Sequence, residues 1–260
     1  MKLQTEISGD SHSKTIAMIH GWGLCSKIFY PIVEELKNEY RIVLIDMPGY
    51  GINHKIPANR CDGIIQSLEE TIPRGCALLG WSLGGILALK YSILNPDSIR
   101  SLITVSCSPR FTSDPDTRWP GTDKELLLKF TSMLTQDNCK STIDKFLSLQ
   151  AMGSSRMRDD IKVIKGLLSQ VPEPSYYELQ AGLKTLMDED LRYSIDHIKC
   201  PSLHIYGKKD RLSPVTTRNF WDNKQDSHTI VFNESSHAPF ITQTHEFNEQ
   251  LKLFLCRYFH

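Results

Sequence analysis

Three residues of this chain, Ser82, Asp210 and His237, are of the types that together carry out nucleophilic hydrolysis. Ser82 lies in the pentapeptide GWSLG (80–84), which matches the G-x-S-x-G pattern of a serine held in a tight turn between a strand and a helix. A serine hydroxyl is a weak nucleophile, so it needs a base and a carboxylate that orients the base. The pattern predicts that Ser82 is the nucleophile; the alternative is a serine that only caps the following helix.

The positions of the acid and the base follow from the strands that precede them. Asp210 comes after the apolar run SLHIYG (202–207), and His237 comes after HTIVFN (228–233). Both are therefore expected in loops at the edge of the sheet where the Ser82 turn lies. Other carboxylates precede strands and are expected at the opposite edge: Asp196, Asp222 and Asp226.

Two backbone N–H groups are predicted to stabilise the oxyanion of the tetrahedral intermediate. One belongs to Leu83, directly after the nucleophile, and the other to Trp22 in HGWGL (20–24), a loop that follows a strand. The glycines of this loop would let it turn back toward Ser82. We expect His20 to brace the loop through side-chain hydrogen bonds rather than to act as the base.

The elements that must position these residues are read from hydrophobic periodicity. Short apolar runs alternate with segments of helical spacing, which predicts an α/β fold with a mostly parallel sheet flanked by helices. An antiparallel first strand is expected at 3–8, and the other strands are expected at 15–20, 41–46, 76–81, 101–106, 202–207 and 228–233. Helices are expected at 26–38, 62–72, 83–94 and 244–258.

The alternation stops between residues 111 and 197, where only helical patterns occur. A stretch of this length is not a structureless loop. We therefore expect a helical lid, residues 111–197, inserted between two strands of a core formed by residues 1–110 and 198–260. Its place would be over the ends of the strands, where α/β proteins bind ligands.

Composition excludes several classes of function. The chain has 30 basic and 30 acidic residues, so it has no net charge to attract nucleic acid or an anionic membrane. Its seven cysteines show no C-x-x-C spacing, which disfavours a disulfide framework or a zinc site. No phosphate-binding loop or metal-ligand cluster is recognised in the sequence, and we expect no signal peptide from residues 1–14. We expect a cytoplasmic monomer without a cofactor.

Several motifs resemble the α/β-hydrolase superfamily and, within it, the pimeloyl-[acyl-carrier protein] methyl ester esterase family: HGWGL (20–24), GWSLGG (80–85), FLSLQAMG (146–153), IYGKKD (205–210) and SHAPFI (236–241). The resemblance covers essentially the whole chain, and the lid motif FLSLQAMG is the most discriminating. It implies an α/β-hydrolase fold, a triad of Ser82, Asp210 and His237, and removal of the methyl ester from the pimeloyl chain in biotin synthesis.

The resemblance also implies an acyl site and a docking surface. The acyl site would consist of Phe146, Leu147, Ser148, Leu149 and Gln150. An acidic acyl-carrier protein would dock on Lys145, Arg158 and Lys162. Residues 140–165 contain six basic and three acidic residues, although a solvated helix face would also account for this excess. Ser141 stands where an arginine is expected. A broad short-chain carboxylesterase and a non-catalytic ligand-binding protein of the same fold remain alternatives.

Overall fold

The computed structural model describes residues 1–57 and 61–259. In these ranges seven strands form one sheet with the spatial order β1-β3-β2-β4-β5-β6-β7. The strands are β1 (Thr5–Ser8), β2 (Thr15–Ile19), β3 (Arg41–Ile45), β4 (Cys76–Trp81), β5 (Ile99–Val105), β6 (Ser202–Gly207) and β7 (Ser227–Phe232). β1 runs antiparallel to β3, and the other neighbours are parallel. The predicted mostly parallel sheet with an antiparallel first strand is confirmed.

The central strands are apolar along almost their whole length because helices cover both faces of the sheet. β4 and β6 are buried at every residue, whereas β1 at the edge is only partly buried. Successive side chains point to opposite faces. Ala17 and Ile19 of β2 accordingly belong to one apolar cluster, and Ile16 and Met18 belong to the other.

The described ranges contain nine α-helices: α1 (Tyr30–Leu36), α2 (Cys61–Thr71), α3 (Leu83–Leu94), α4 (Lys124–Met133), α5 (Cys139–Ala151), α6 (Met157–Leu168), α7 (Tyr176–Asp188), α8 (Pro239–Thr242) and α9 (Thr244–Tyr258). The helix predicted at 26–38 begins instead as a 3-10 turn, Ser26–Phe29, followed by α1. Pro31 has no N–H with which to continue an α-helical bond to Lys27, which explains the break. None of these helices has the length and apolar character needed to cross a membrane.

Helices α4 to α7 lie between β5 and β6, in the segment predicted as the lid. The two ends of this segment are joined to each other. Arg110 and Asp190 form an isolated antiparallel bridge, and the Arg192 guanidinium donates to the carboxylates of both Asp114 and Asp190 at 2.9 and 2.7 Å. The two points at which the chain passes between core and lid therefore lie side by side. The exact boundaries of core and lid stay a prediction.

Candidate active site

Ser82 occupies the turn between β4 and α3 in a strained conformation, with φ of 55° and ψ of −117°. L-residues rarely adopt a positive φ, so such a residue persists only where its surroundings hold it. The Ser82 side chain makes no capping bond to α3. Its Oγ lies 2.8 Å from His237 Nε2 instead, so this hydroxyl is directed at an imidazole rather than at the helix.

The glycines around Ser82 are required by the close approach of neighbouring backbone and side chains. A Cβ on Gly80 would lie 2.2 Å from the carbonyl oxygen of Gly84, and one on Gly84 would lie 2.2 Å from the carbonyl oxygen of Ile19. A Cβ on Gly85 would lie 2.6 Å from Cys107 Cβ, in the loop after β5. These contacts allow α3 to start directly against the ends of β2 and β5, which places Ser82 at the carboxyl edge of the sheet.

Asp210 and His237 lie in the loops after β6 and β7, as predicted, and they bond to each other. Asp210 Oδ2 accepts from His237 Nδ1 at 2.8 Å, while Oδ1 accepts from the backbone N–H groups of Leu212 and Ser213 at 2.8 and 3.1 Å. Because a carboxylate only accepts, the imidazole proton is placed on Nδ1. Nε2 is then free to accept the proton of Ser82.

The imidazole is enclosed by groups that the sequence did not identify as functional. Trp81 Nε1 donates to the His237 carbonyl oxygen at 2.8 Å, and the Phe111 ring meets the imidazole edge-on at 6.5 Å between centroids. Neither contact has a local signal, because both join residues far apart along the chain. Ser82 and His237 have no exposed surface, which keeps water away from charges that develop there.

The loop that precedes the oxyanion position passes directly beside Ser82. A Cβ on Gly21 would lie 3.3 Å from Ser82 Cβ. His20 braces this loop, in agreement with expectation: its Nδ1 bonds to the Gly21 carbonyl oxygen at 2.8 Å, and its Nε2 accepts from Met47 N at 3.0 Å. Burial lowers the pKa of His20 below its ordinary value, so the ring stays neutral and can accept at Nε2.

Trp22 and Leu83 are covered by the lid. Trp22 Nε1 donates to the carbonyl oxygen of Leu179 on α7 at 2.8 Å. Gly182 of the same helix gives room for this contact, since a Cβ there would lie 2.6 Å from the Trp22 ring and 3.1 Å from the Leu83 side chain. Trp22 and Leu83 are 1% and 2% exposed. Helix α7 therefore covers Trp22 and Leu83 in this structure.

The five residues expected at the acyl site differ in their surroundings. The Phe146 ring lies 4.6 Å from the Trp22 ring, and the Gln150 carbonyl oxygen accepts from the His237 backbone N–H at 3.2 Å. Ser148 is exposed, and its hydroxyl bonds to a carbonyl of its own helix, so its side chain is not brought to Ser82. The other four are buried or partly buried: Phe146, Leu147, Leu149 and Gln150.

A groove of about 350 Å³ lies between α5, α6 and the segment 171–174, and residues 23–25, which follow Trp22, also line it. This volume is in the range of small-molecule sites, about 300–1,000 Å³. Two ion pairs connect its sides, Lys140 to Glu173 at 3.2 Å and Lys165 to Asp144 at 2.8 Å. In the part of the chain that the structure describes, no group of three His, Cys, Asp or Glu side chains is placed to hold a metal ion.

The six basic side chains of residues 140–165 fall into two sets. Three are paired with carboxylates: Lys140 with Glu173, Arg156 with Asp159, and Lys165 with Asp144. The other three are exposed and form no ion pair with any residue in 1–57 or 61–259: Lys145, Arg158 and Lys162. The cations expected to dock the carrier protein are therefore those whose charge is not already neutralised.

The sheet order, the turn at Ser82 and the helices between β5 and β6 define an α/β hydrolase. The family model described as alpha/beta hydrolase fold matches residues 14–244. The chain is similar to the solved structure of an esterase from Exiguobacterium antarcticum, with 24% identity and a TM-score of 0.82 over 97% of this chain and 95% of that chain. The solved structure of a hydrolase from Oleispira antarctica is 19% identical, with a TM-score of 0.83 over 98% of this chain and 94% of that chain. The predicted fold is confirmed.

Curated relatives narrow the class further. The pimeloyl-[acyl-carrier protein] methyl ester esterase of Vibrio cholerae is 35% identical, with 99% of both chains covered. The protein of the same name from Aeromonas salmonicida is 35% identical over 92% of this chain and 94% of its own. The chain belongs to the alpha/beta hydrolases and, within them, to the pimeloyl-[acyl-carrier protein] methyl ester esterase family.

Proposed function

We propose that this protein hydrolyses the methyl ester of pimeloyl-[acyl-carrier protein], releasing methanol and leaving a free carboxylate for biotin biosynthesis. The observation that carries the chemistry is the continuous chain of hydrogen bonds from Ser82 through His237 to Asp210. The names of the relatives at 35% identity over nearly the whole chain support the substrate.

In the first half-reaction the Ser82 hydroxyl attacks the ester carbonyl while His237 Nε2 takes its proton. The carbonyl oxygen becomes an oxyanion, to which the backbone N–H groups of Leu83 and Trp22 donate. The carbon–oxygen bond to the methoxy group then breaks, and protonated His237 gives its proton to the departing oxygen. Methanol leaves, and the acyl group remains as an ester of Ser82.

The second half-reaction repeats these steps with water. His237 takes a proton from the water as its oxygen attacks the acyl-enzyme carbonyl, and the same two N–H groups stabilise the oxyanion. The bond to Ser82 breaks, and His237 returns the proton to the serine oxygen. Asp210 Oδ2 accepts from His237 Nδ1–H throughout, so protons enter and leave the imidazole at Nε2, and the other Asp210 oxygen is held by two backbone donors.

The acyl chain is proposed to lie against Phe146 and Leu149 once the lid opens, since their apolar side chains suit a chain of methylene groups. Gln150 adds a polar contact. Its side-chain Nε2 is buried and has no hydrogen-bond partner among the described residues. An unpaired buried donor is costly, so a substrate oxygen that accepts from Nε2 would be bound favourably.

The carrier protein is proposed to dock on Lys145, Arg158 and Lys162, which would place the thioester end at the lid and the methyl ester at Ser82. Ser141 supplies no charge to this surface, and two of the three cations are lysines. Lysine is a point charge and cannot bind a carboxylate through the two-pronged geometry of arginine. We therefore expect docking to depend strongly on ionic strength.

The function is tested with methyl pimeloyl-carrier protein as substrate, followed by mass spectrometry of the carrier protein. The wild type should convert it to the free acid. Ser82→Ala should abolish conversion while circular dichroism shows a folded protein. Undiminished turnover by that variant would overturn the assignment of the nucleophile. The pathway is tested in a host that lacks this esterase. The wild type should restore biotin-independent growth, and Ser82→Ala should not.

Docking is tested by two matched triple variants of the same segment. Alanine at Lys145, Arg158 and Lys162 should lower kcat/KM for the carrier-linked ester at least tenfold at low salt and leave a small free ester within about twofold. Alanine at the ion-paired Lys140, Arg156 and Lys165 removes the same charge and should have a smaller effect. If the first triple variant lost kcat/KM equally on both substrates, docking would be contradicted. If the wild type had equal kcat/KM values for the carrier-linked ester and the small free ester, a broad carboxylesterase would be favoured.

We also propose that the protein is a cytoplasmic monomer. All seven cysteines are free thiols, which is the usual state in a reducing compartment. Light scattering of the purified protein across a range of concentrations tests the assembly state. A mass that stays at twice that of the chain would contradict a monomer.

A further inference from the structure

Asp160 is a buried carboxylate on the lid helix α6, and its partners lie on both sides of the boundary between lid and core. It is 4% exposed. Its Oδ2 accepts from Ser154 Oγ at 2.5 Å and from Thr242 Oγ1 at 2.8 Å. Ser154 precedes α6 in the lid, whereas Thr242 ends α8, the short helix that follows His237. Burying a carboxylate is costly unless hydrogen bonds satisfy it, so these two hydroxyls hold α6 and α8 together.

Asp160 and His237 also border the same small cavity. Its volume is about 10 Å³, and Gln150, Ser236 and Thr242 contribute to its walls. A space of this size holds at most about one water molecule. Asp160 and the His237 loop therefore face one narrow space, whose walls also include the apolar side chains of Ala151, Ile164 and Ala238.

Three further hydrogen bonds tie the His237 loop to the lid. The backbone N–H of His237 and the hydroxyl of Ser236 donate to carbonyl oxygens at the end of α5, those of Gln150 and Met152, at 3.2 and 2.9 Å. The Ser155 N–H donates to the carbonyl oxygen of Glu234 at 3.1 Å. All three use carbonyl oxygens of the backbone as acceptors. At α8 side chains make the contact instead: the Thr242 hydroxyl donates to Asp160 at 2.8 Å and lies 3.4 Å from Ser154 Oγ.

We propose that Asp160 is a positioning residue for ester hydrolysis: through Thr242 it holds α8 and the His237 loop against the lid, so that Nε2 stays within reach of Ser82. The inference rests on the proposed hydrolysis at Ser82. Because Asp160 and Ser154 belong to the lid, the position of the His237 imidazole depends on the contact between the lid and the core. Displacing a reacting group by about 1 Å can cost about a hundredfold in rate.

The first test measures kcat and KM for a short-chain chromogenic ester, which needs no carrier protein. Asp160→Ala should lower kcat at least tenfold and leave KM within about twofold, because the base is misplaced while the partners that Asp160 bonds, Ser154 and Thr242, are not residues of the proposed acyl site. Asp160→Asn should recover part of this loss, since its amide oxygen still accepts from the hydroxyls. The matched control is Asp159→Ala, at the preceding residue of α6, whose side chain is 67% exposed. Its kcat should equal that of the wild type.

The second test asks whether Asp160 acts through Thr242. Thr242→Val keeps the shape of the side chain and removes its hydroxyl, so it should also lower kcat without changing KM. In the double variant Asp160→Ala, Thr242→Val, kcat should be no lower than in the worse single variant, because both changes break one connection. Losses that multiply would contradict a shared connection.

The outcomes separate this inference from the proposed function. If the wild type does not hydrolyse the chromogenic ester, hydrolysis at Ser82 is wrong. If the wild type is active and the folded variants Asp160→Ala or Thr242→Val keep its kcat, even with a lower melting temperature, only the positioning role is overturned. If Asp160→Ala does not fold, Asp160→Asn and Thr242→Val decide by the same criterion.

Discussion

Replacing Asp210 by asparagine should stop the reaction by reversing the tautomer of His237. Asp210 Oδ1 accepts from the N–H groups of Leu212 and Ser213, and Oδ2 accepts from His237. Asparagine has a single oxygen, and two backbone donors hold it at the Oδ1 position. The NH₂ group then faces Nδ1 of the imidazole, which must become an acceptor. The ring proton moves to Nε2, which can no longer accept the proton of Ser82.

The expected decrease in kcat follows from the loss of the proton acceptor at His237 Nε2. In a Ser–His–Asp site with intact geometry, this change lowers kcat by about 10⁴-fold. At about 1.36 kcal/mol for each factor of ten, the transition state loses about 5 kcal/mol of stabilisation. Asparagine has the shape of aspartate and keeps the two backbone hydrogen bonds, so the free energy of unfolding should change much less than the barrier.

The assay is steady-state hydrolysis of a chromogenic ester at neutral pH, with Ser82→Ala as the inactive reference and thermal unfolding as the check on folding. Asp222→Asn is the matched control: it makes the same chemical change at an exposed carboxylate that competed with Asp210 in the sequence. That control should keep full activity. An Asp210→Asn protein that retains more than a tenth of the wild-type kcat would refute the tautomer argument.

Two other predictions concern stability. Gly84→Ala would place a Cβ 2.2 Å from the Ile19 carbonyl oxygen. The variant should lower the free energy of unfolding, measured by urea titration, by about 2–3 kcal/mol. An unchanged midpoint of the urea unfolding curve would contradict this contact. Burial, with a smaller contribution from His228, lowers the pKa of His204 to about 3. Below about pH 6.5 the unfolded chain binds a proton at His204 that the folded protein does not bind. The free energy of unfolding therefore decreases as the pH falls from there toward 3, and near pH 4.5 it has decreased by about 3 kcal/mol. His204→Gln should show a flatter pH dependence in the same urea titration.

The proposed triad was predictable because each of its members stands in the turn or loop that follows a strand, and the sequence pattern reveals these strands. Parallel strands end at one edge of a sheet, so Ser82, Asp210 and His237 had to meet once the strands at 76–81, 202–207 and 228–233 were recognised. The helical character of residues 111–197 was predictable for a similar reason, since apolar periodicity and the absence of strand patterns are local properties. The start of α1 was predicted less well, because Pro31 interrupts the helical bonding.

The amino-acid sequence by itself therefore determined the class of fold and the proposed nucleophile, base and acid, since these depend on order and spacing along the chain. Only the tertiary structure decided that Gly85 makes room for Cys107, that Lys145, Arg158 and Lys162 are the unpaired cations among residues 140–165, and that Asp160 meets Thr242 beside His237. These contacts join residues far apart along the chain. Their partners are set by how helices pack on the sheet, and periodicity specifies the face of a helix but not what lies opposite it.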